Sequence, residues 1–232
     1  MQTRQPSLMF SKKIWAVLVT AIIVSIAWLV LVFGVIVAAQ QSYNSAYDKD
    51  KEDIMLNVQD VVVEGTMVKS MPLYMQSDPQ WGSIQYADGT IESHGCGLTA
   101  LSMALTYLTK NRVLPSDLAE YQANFVSDGV NDPDRMCQWA IGNYDVQWSG
   151  EQWGFNDSVP DLVNEGYVVL ASMSGQLGKR SYDGHVILIY DRNKDGWLIR
   201  DPDDGDNSVH VFSDEELSGV TWGAFNGLKG IS

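Results

Sequence analysis

One of the two cysteines in this chain of 232 residues lies between two glycines, in the stretch SHGCGLTALSMALTYL at residues 93–108. A thiol becomes a good nucleophile when it loses its proton, and the free N–H groups and dipole of a helix N-terminus stabilise the thiolate. Gly95 and Gly97 remove side chains that would block approach to the sulfur, and they permit a tight turn. Cys96 is therefore a candidate nucleophile. The alternative is a buried structural cysteine, the commoner state of a free thiol.

A thiolate nucleophile needs a base, and the chain offers three histidines. His185 begins the apolar run HVILIYD directly after Gly184, so its side chain would project from the start of a strand. His94 lies two residues from Cys96, which is too close along the chain for easy alignment. His210, inside VHVF, is expected to face solvent. We therefore expect His185 to be the base.

A base also needs a partner that fixes its tautomer. Asp201 ends the run WLIRD, which follows HVILIYDR across the turn NKDG at residues 193–196. Because the two strands of such a hairpin are similar in length, positions 185 and 201 would lie roughly opposite each other, within side-chain reach. Asp203 and Asp204 are nearby alternatives. Taken alone, a carboxylate before a proline is usually a strand-end or turn residue.

The order of the predicted elements indicates an α+β fold in one domain, residues 71–232. Leucines at helical spacing follow Cys96 to about residue 110. Shorter helices are expected in SDLAEYQANF, with Ser116 or Asp117 as N-cap, in DPDRMCQWAI, with Asp132 as N-cap, and in SVPDLVNEG, with Ser158 as N-cap. The later runs YVVLASM, HVILIYDR, WLIRDP and VHVF predict antiparallel strands.

The uncharged segment at residues 14–39 is long enough to cross a bilayer as one helix. Lys12 and Lys13 precede it, whereas the first acidic residues follow it. The positive-inside rule then predicts a cytoplasmic tail at residues 1–13 and an extracellular remainder, with Trp15 and Tyr43 near the two interfaces. Residues 40–70 are expected to form a stalk, in which DVVVEG could make an edge strand. A cleaved secretory signal is the alternative, although its apolar core is usually shorter.

The charge of the chain limits its partners. Its formal net charge is −14, and residues 40–232 hold 12 basic and 29 acidic residues, a net charge of −17. Phosphate binding needs clustered lysine and arginine, so nucleic acid is not expected as a partner.

Four stretches together resemble the C39-like group of papain-fold cysteine peptidases over about residues 71–225. They are MQSDPQW, GTIESHGCGLTALSMALTYL, GHVILIYD and WLIRDPDDG. The resemblance implies a papain-like fold with Cys96 as nucleophile, His185 as general base and acid, and Asp201 as the residue that orients the histidine.

The same resemblance suggests an oxyanion hole made by Gln76 and the backbone N–H of Cys96. Papain has its glutamine six positions before the cysteine, where this chain has Thr90. Gln76 would therefore have to reach the site through a loop. A surface or strand-end glutamine is the alternative.

These features predict a membrane-anchored extracellular cysteine peptidase or amide hydrolase. It would act on a peptide or protein through a thioester acyl-enzyme, without a metal or organic cofactor. Because the domain is expected to face outward and the chain has no transporter segment, the leader-peptide substrates of the C39 peptidases proper are not carried over. A catalytically silent peptide-binding module and a thiol acyltransferase are the alternatives. The complete Cys–His–Asp set argues against the first, whereas no sequence feature separates the second from hydrolysis.

Three further features have competing interpretations. Cys137 could form a disulfide with Cys96, which would abolish the nucleophile. The stretch DPDDGDN at residues 201–207 loosely resembles a calcium loop, but it lacks the distant glutamate of the EF-hand pattern, and a solvated acidic turn is favoured. Trp148 and Trp153, in the glycine-punctuated stretch QWSGEQWGF, could line a substrate groove, although packing beneath a loop is the safer interpretation.

Overall fold

The computed structural model describes Trp15 and residues 17–35, 37–38, 62–63, 66–67 and 71–231. The chain divides into two compact units, Met1–Gln59 and Asp60–Ser232. The predicted cytoplasmic tail at residues 1–13, the interface residue Tyr43 and the first part of the predicted stalk, residues 40–61, lie outside the described residues.

Helix α1, Val17–Val35, belongs to the first unit and is 19 residues long. At 1.5 Å per residue it spans about 28 Å, close to the hydrocarbon thickness of a bilayer. It contains no charged residue, and it is the one helix among the described residues that is long and apolar enough to cross a membrane. By length and composition it suits a membrane anchor, and a signal sequence would share both properties.

The second unit contains twelve strands, seven α-helices and one 3₁₀ turn within the described residues. In chain order they are β1 (Val62–Val63), β2 (Thr66–Met67), β3 (Gln85–Tyr86), β4 (Gly89–Thr90), α2 (Ile91–His94), α3 (Cys96–Thr109), α4 (Pro115–Ala119), the 3₁₀ turn (Gln122–Asn124), β5 (Val126–Ser127), β6 (Val130–Asn131), α5 (Pro133–Asn143), β7 (Val146–Gln152), α6 (Phe155–Asn164), β8 (Val168–Leu177), β9 (Arg180–Asn193), β10 (Gly196–Arg200), α7 (Gly205–Val209), β11 (Val211–Phe212), α8 (Asp214–Leu217) and β12 (Val220–Gly230).

Six of these strands form one antiparallel sheet in the order β11-β10-β9-β8-β12-β7. Three two-stranded hairpins accompany it, β1-β2, β3-β4 and β5-β6. The first of them includes part of the edge strand that DVVVEG predicted. Most of the helices precede the sheet along the chain, so the α+β prediction is confirmed.

Both faces of the sheet are covered, and β9 shows why. Its residues Val186 and Leu188 pack in the core that contains the α3 leucines, whereas Ile187 and Ile189 pack in a second core with α6. A strand buried on both faces reads as a continuous apolar run, which is the pattern of HVILIY. α3 packs against β9.

Two predicted helices have other bounds in the structure. The helix predicted over SDLAEYQANF is divided, since α4 ends at Ala119 and a separate 3₁₀ turn follows at Gln122–Asn124. α4 begins at Pro115, and Asp117 lies inside it, where its carboxylate accepts a hydrogen bond from the backbone N–H of Leu114 (2.9 Å). α6 begins at Phe155 after Gly154, whose φ of +82° suits glycine. Ser158 is therefore one turn inside α6. By contrast, Asp132 caps α5 as predicted.

Two strands of the sheet were missed by the sequence patterns. The stretch QWSGEQ, expected to be a loop, lies within β7, and β12 was not predicted at all. β12 pairs with both β7 and β8, and its Gly227 has a reason to lack a side chain. A Cβ atom there would lie 3.0 Å from the Ser149 hydroxyl and 3.1 Å from the Tyr167 ring. Glycines of this kind interrupt the alternation by which strands are recognised.

Candidate active site

Cys96 is the first residue of α3, directly after the short helix α2. Gly95 joins the two helices, and a Cβ atom at that position would lie 2.4 Å from the carbonyl oxygen of Ile91. The glycine therefore lets α2 end and α3 begin within one residue, which leaves the thiol at a helix N-terminus. Cys96 is half-buried and has a free thiol.

Cys137 is also a free thiol, so the alternative of a disulfide with Cys96 is wrong for this structure. It lies in α5 and is fully buried. Burial, together with the nearby charge of Asp134, raises the pKa of the Cys137 thiol well above its usual range. A buried, protonated thiol of this kind is inert.

His185 lies on β9 opposite Met173 of β8, and only 7% of its surface is exposed. Its Nε2 is 2.7 Å from Oδ1 of Asp201, and its ring also forms a hydrogen bond with the Cys96 thiol. Burial by itself lowers the pKa of His185, but the hydrogen bonds to Asp201 and Cys96, and the charges of both, raise it to about 9. The imidazolium form is therefore favoured at neutral pH.

Asp201 directly follows β10 and is completely buried. Besides His185, it accepts hydrogen bonds from the Tyr182 hydroxyl, from Nδ2 of Asn207 and from the backbone N–H of Asp203, each at 2.9 Å. Burial opposes ionisation of this carboxyl, but the hydrogen bond and charge of His185 and the other donors hold its pKa below the ordinary value. Asp201 is thus a carboxylate whose lone pairs are well satisfied.

The neighbouring acids have other partners. Asp203 forms an ion pair with Arg180 (2.5 Å), and Asp204 caps α7 by accepting hydrogen bonds from the backbone of Asp206 and Asn207. Asp201, and neither of these two, therefore contacts His185. Across residues 71–231 and the other described segments, no group of three or more acidic, histidine or cysteine side chains is arranged to hold a metal ion. The acidic side chains of residues 201–207 that are described above bind protein donors, namely backbone N–H groups, His185, Tyr182, Asn207 and Arg180.

Tyr182 stacks on His185, and the sequence patterns missed it. The two ring centroids are 4.1 Å apart and the ring planes differ by 5°. Residues three apart in a regular strand point to opposite faces. Here β9 has one extra residue, because Met173 pairs with His185 and Gly175 pairs with Tyr182. This bulge allows both rings to stack, while the hydroxyl of Tyr182 reaches Asp201.

Gln76 is 94% buried and lies in the turn after the start of the domain. Its Nε2 donates a hydrogen bond to the carbonyl oxygen of Glu92 in α2 (2.6 Å), and its backbone N–H donates to Pro202 (2.8 Å). Gln76 thus links the loop after Asp201 to the helix just before Cys96. An amide nitrogen carries two N–H groups, and Glu92 takes one of them. Its predicted role in an oxyanion hole stays a prediction.

Asn131 contacts the candidate nucleophile directly and was also missed by the sequence patterns. Its Nδ2 lies 3.4 Å from the Cys96 sulfur. It lies in β6 of the β5-β6 hairpin, and a strand of only two residues is too short to show a sequence pattern. The contact depends on how this hairpin packs against α3, so no local signal could have found it.

The remaining histidines do not contact the thiol through any described hydrogen bond. His94 ends α2, where its Nδ1 lies 2.8 Å from the hydroxyl of Ser93. His210 is exposed, and its Nε2 lies 2.8 Å from a carboxylate oxygen of Glu216. It precedes β11, so VHVF is only partly a strand.

The two tryptophans of the stretch QWSGEQWGF, Trp148 in β7 and Trp153 directly after it, each donate a hydrogen bond within this region of the sheet. Trp148 is half-buried and donates a hydrogen bond to Asn226 of β12 (3.0 Å), whereas Trp153 is exposed and donates to Glu151 (3.0 Å). Their positions are those of residues in and just beyond a strand at the edge of the sheet.

The site therefore brings together a thiol at a helix N-terminus, a buried imidazole and a buried carboxylate in one hydrogen-bonded series. Such a series can form a thiolate–imidazolium pair whose ring is held in one orientation by the carboxylate.

Comparisons with known proteins show the family of the chain. The model of the peptidase C39-like family matches residues 68–229. A solved structure titled "putative C39-like peptidase", from Bacillus anthracis, is 17% identical with a TM-score of 0.43, and the match covers 71% of this chain and 98% of that one. A search among curated proteins gave no match. Since the family model covers well over half of the sequence, the chain belongs to the peptidase C39-like family.

Proposed function

We propose that this protein is a cysteine peptidase that cleaves amide bonds through Cys96, His185 and Asp201. The observation that carries the proposal is the hydrogen-bonded series in which His185 contacts both the thiol and a fully buried carboxylate. Membership of a peptidase family supports the same reaction class. The roles of the individual residues follow from their chemistry.

In the first half of the reaction, the Cys96 thiolate, whose proton His185 already holds, attacks the carbonyl carbon of the substrate amide. A C–S bond forms, and the carbonyl π electrons move to oxygen. Because Nε2 of His185 is held by Asp201, the other ring nitrogen faces the sulfur and carries the mobile proton. That proton passes to the leaving amine, the C–N bond breaks, and a thioester remains.

In the second half, the neutral His185 accepts a proton from water, whose oxygen attacks the thioester carbonyl. The C–S bond breaks, the acid is released, and Cys96 and His185 return to the thiolate–imidazolium pair. These steps need no metal or organic cofactor. Asp201 keeps the ring in one orientation and stabilises its positive charge in both halves.

A negative charge develops on the substrate carbonyl oxygen during the attack. We assign its stabilisation to hydrogen bonds from Gln76 and from the backbone N–H of Cys96. The second N–H of Gln76 Nε2 is the donor in this proposal, and the hydrogen bond to Glu92 holds its amide in place. Fixed donors of this kind stabilise a tetrahedral intermediate.

We place this reaction outside the cell, with α1 as a retained anchor. Lys12 and Lys13 before α1, and the absence of acids there in the sequence, favour a cytoplasmic N-terminus. Digestion of intact cells with a protease should then remove the domain, while a tag at the N-terminus stays protected until the cells are permeabilised. Protection of the domain in intact cells would reverse this topology.

Selective labelling of Cys96 tests the proposed function without a known substrate. At pH 6 an ordinary thiol is about 0.3% ionised, so a thiolate pair should react about 100-fold faster with iodoacetamide. We expect Cys96 of the full chain in detergent to be labelled rapidly and Cys137 to stay unlabelled, as mass spectrometry of peptides can measure. His185→Ala should remove this advantage.

His210→Ala is the matched control, because His210 is exposed. The described hydrogen bond of its ring is with Glu216 rather than with Cys96. Its labelling should equal that of the wild type. Slow labelling of Cys96 in the wild-type protein, or equal rates in His185→Ala and wild type, would contradict the thiolate pair. The binding module would then be the better account.

A further inference from the structure

The Cys96 sulfur has a second polar neighbour besides His185, the side-chain amide of Asn131. Nδ2 of Asn131 lies 3.4 Å from the sulfur, within hydrogen-bonding distance of a third-row atom, and it also donates to the carbonyl oxygen of His94 (2.6 Å). One amide nitrogen carries two N–H groups, so both contacts can exist together.

The orientation of this amide is fixed by its neighbours. The hydroxyl of Tyr86 donates to Oδ1 of Asn131 (2.8 Å), while the carbonyl of His94 can only accept. A flipped amide would place two oxygen acceptors against each other. Tyr86 is completely buried, and burial followed by the charge of Cys96 raises the pKa of its phenol, so the hydroxyl keeps its proton. The amide therefore presents N–H to the sulfur.

Gly97 explains how Asn131 approaches so closely. A Cβ atom on Gly97 would lie 2.9 Å from Cβ and 3.0 Å from Cγ of Asn131. Real Cβ atoms are almost never so close to these neighbours, so a side chain at position 97 would push the amide away from the sulfur. The glycine after the nucleophile thus makes room for Asn131.

We propose that Asn131 is a further catalytic residue, which donates a hydrogen bond to the Cys96 thiolate and stabilises it beside His185, with Tyr86 as its positioning residue. This inference rests on the proposed function. When the sulfur attacks, its negative charge moves to the carbonyl oxygen, and the Asn131 hydrogen bond is no longer charge-assisted. Asn131 therefore acts on the resting thiolate, and its main effect is on the pH range in which the thiolate exists.

The pH profile of Cys96 alkylation tests this role. Asn131→Asp keeps the size of the side chain but replaces the N–H donor with a carboxylate oxygen. We expect the acid limb of the iodoacetamide profile, measured on the full chain in detergent, to move upward by about one pH unit. Asn131→Ala should shift the limb in the same direction, and Tyr86→Phe should shift it less, because the amide keeps its donor but loses its orienting partner.

A purely structural role for Asn131 predicts a different result. Gln122→Ala is the control, since Gln122 links the same region by accepting from the backbone N–H of Ala87 (2.9 Å) and has no described contact with the sulfur. It should leave the profile unchanged. Profiles of both Asn131 variants that superimpose on the wild type would overturn the proposal, and so would an equal shift in Gln122→Ala.

The outcome for the wild type separates this inference from the proposed function. A wild-type profile like that of an ordinary thiol overturns the thiolate pair, and the role of Asn131 fails with it. A low wild-type midpoint with unshifted Asn131 variants overturns only the role of Asn131. If an Asn131 variant does not fold, the Tyr86→Phe profile decides: a shift supports the proposal, and no shift overturns it.

Discussion

Replacing Asp201 with alanine is expected to lower the free energy of unfolding by about 3–5 kcal/mol, because the change removes one partner of a buried ion pair. The carboxylate is completely buried. It accepts hydrogen bonds from His185, Tyr182, Asn207 and the backbone of Asp203. Alanine would leave these donors facing an apolar side chain. Chemical denaturation of the full chain in detergent, followed by near-UV circular dichroism, measures the change.

The matched control is Asp161→Ala, at an exposed position in α6. Substitutions at such surface positions usually change stability by less than about 0.5 kcal/mol. A loss below about 1 kcal/mol in Asp201→Ala would mean that water or a neighbour replaces the carboxylate, against the expectation for a buried pair.

The pH dependence of this stabilisation follows from the two pKa shifts. The pKa of His185 is raised from 6.5 to about 9, so its contribution is complete below pH 6.5 and is lost as the pH rises through about 9. The pKa of Asp201 is lowered from 3.8, so its contribution is present above pH 3.8 and is lost as the pH falls through the folded-state value. The difference in the free energy of unfolding between the wild type and Asp201→Ala should therefore be largest between pH 3.8 and pH 6.5.

The sequence was informative where one short segment determines the geometry. The glycine–cysteine–glycine stretch and the leucines behind it predicted a thiol at the start of a helix, and α3 does begin at Cys96. The turn at residues 193–196 predicted a hairpin that carries His185 and Asp201 towards each other, and their side chains are 2.7 Å apart. Both predictions depend on local patterns and on the length of one connection.

The sequence was uninformative where geometry depends on register between strands. Tyr182 reaches His185 only because β9 bulges against β8, and a period-2 pattern contains no sign of the extra residue. β12 lies between β8 and β7, but its glycines remove the alternating side chains that mark a strand. Asn131 was missed because it lies in a two-residue strand, which is too short to show a pattern. Its position beside the Cys96 sulfur is set by tertiary packing.

The contacts of Gln76 establish where this residue lies, whereas its role in the reaction needs an experiment. The loop that carries it is held by Pro202 on one side and by Glu92 on the other. Both neighbours lie close in sequence to residues of the proposed series, since one follows Asp201 and the other comes four positions before Cys96. A glutamine twenty positions before the cysteine can therefore contact the segment that leads to the nucleophile.

Replacing Gln76 with alanine should lower kcat for peptide hydrolysis by about 10²–10³-fold, because one donor to the oxyanion is lost. The rate of Cys96 labelling by iodoacetamide should not change, since that displacement occurs at a saturated carbon and forms no oxyanion. The measurement compares both reactions on the full chain in detergent. For hydrolysis it uses whichever peptide in an unstructured synthetic pool the wild type cleaves fastest, detected by mass spectrometry.

Two variants frame this comparison. Cys96→Ala should abolish hydrolysis and set the background, while Gln80→Ala, an exposed glutamine in the same loop, should leave both reactions at the wild-type rate. If Gln76→Ala keeps its hydrolytic rate, the oxyanion has other donors. If it loses labelling and hydrolysis together, Gln76 acts by holding the loop and α2 in place, through the same hydrogen bonds that place it beside the site. Only a selective loss of hydrolysis assigns Gln76 to the oxyanion, because only that step creates charge on the substrate oxygen.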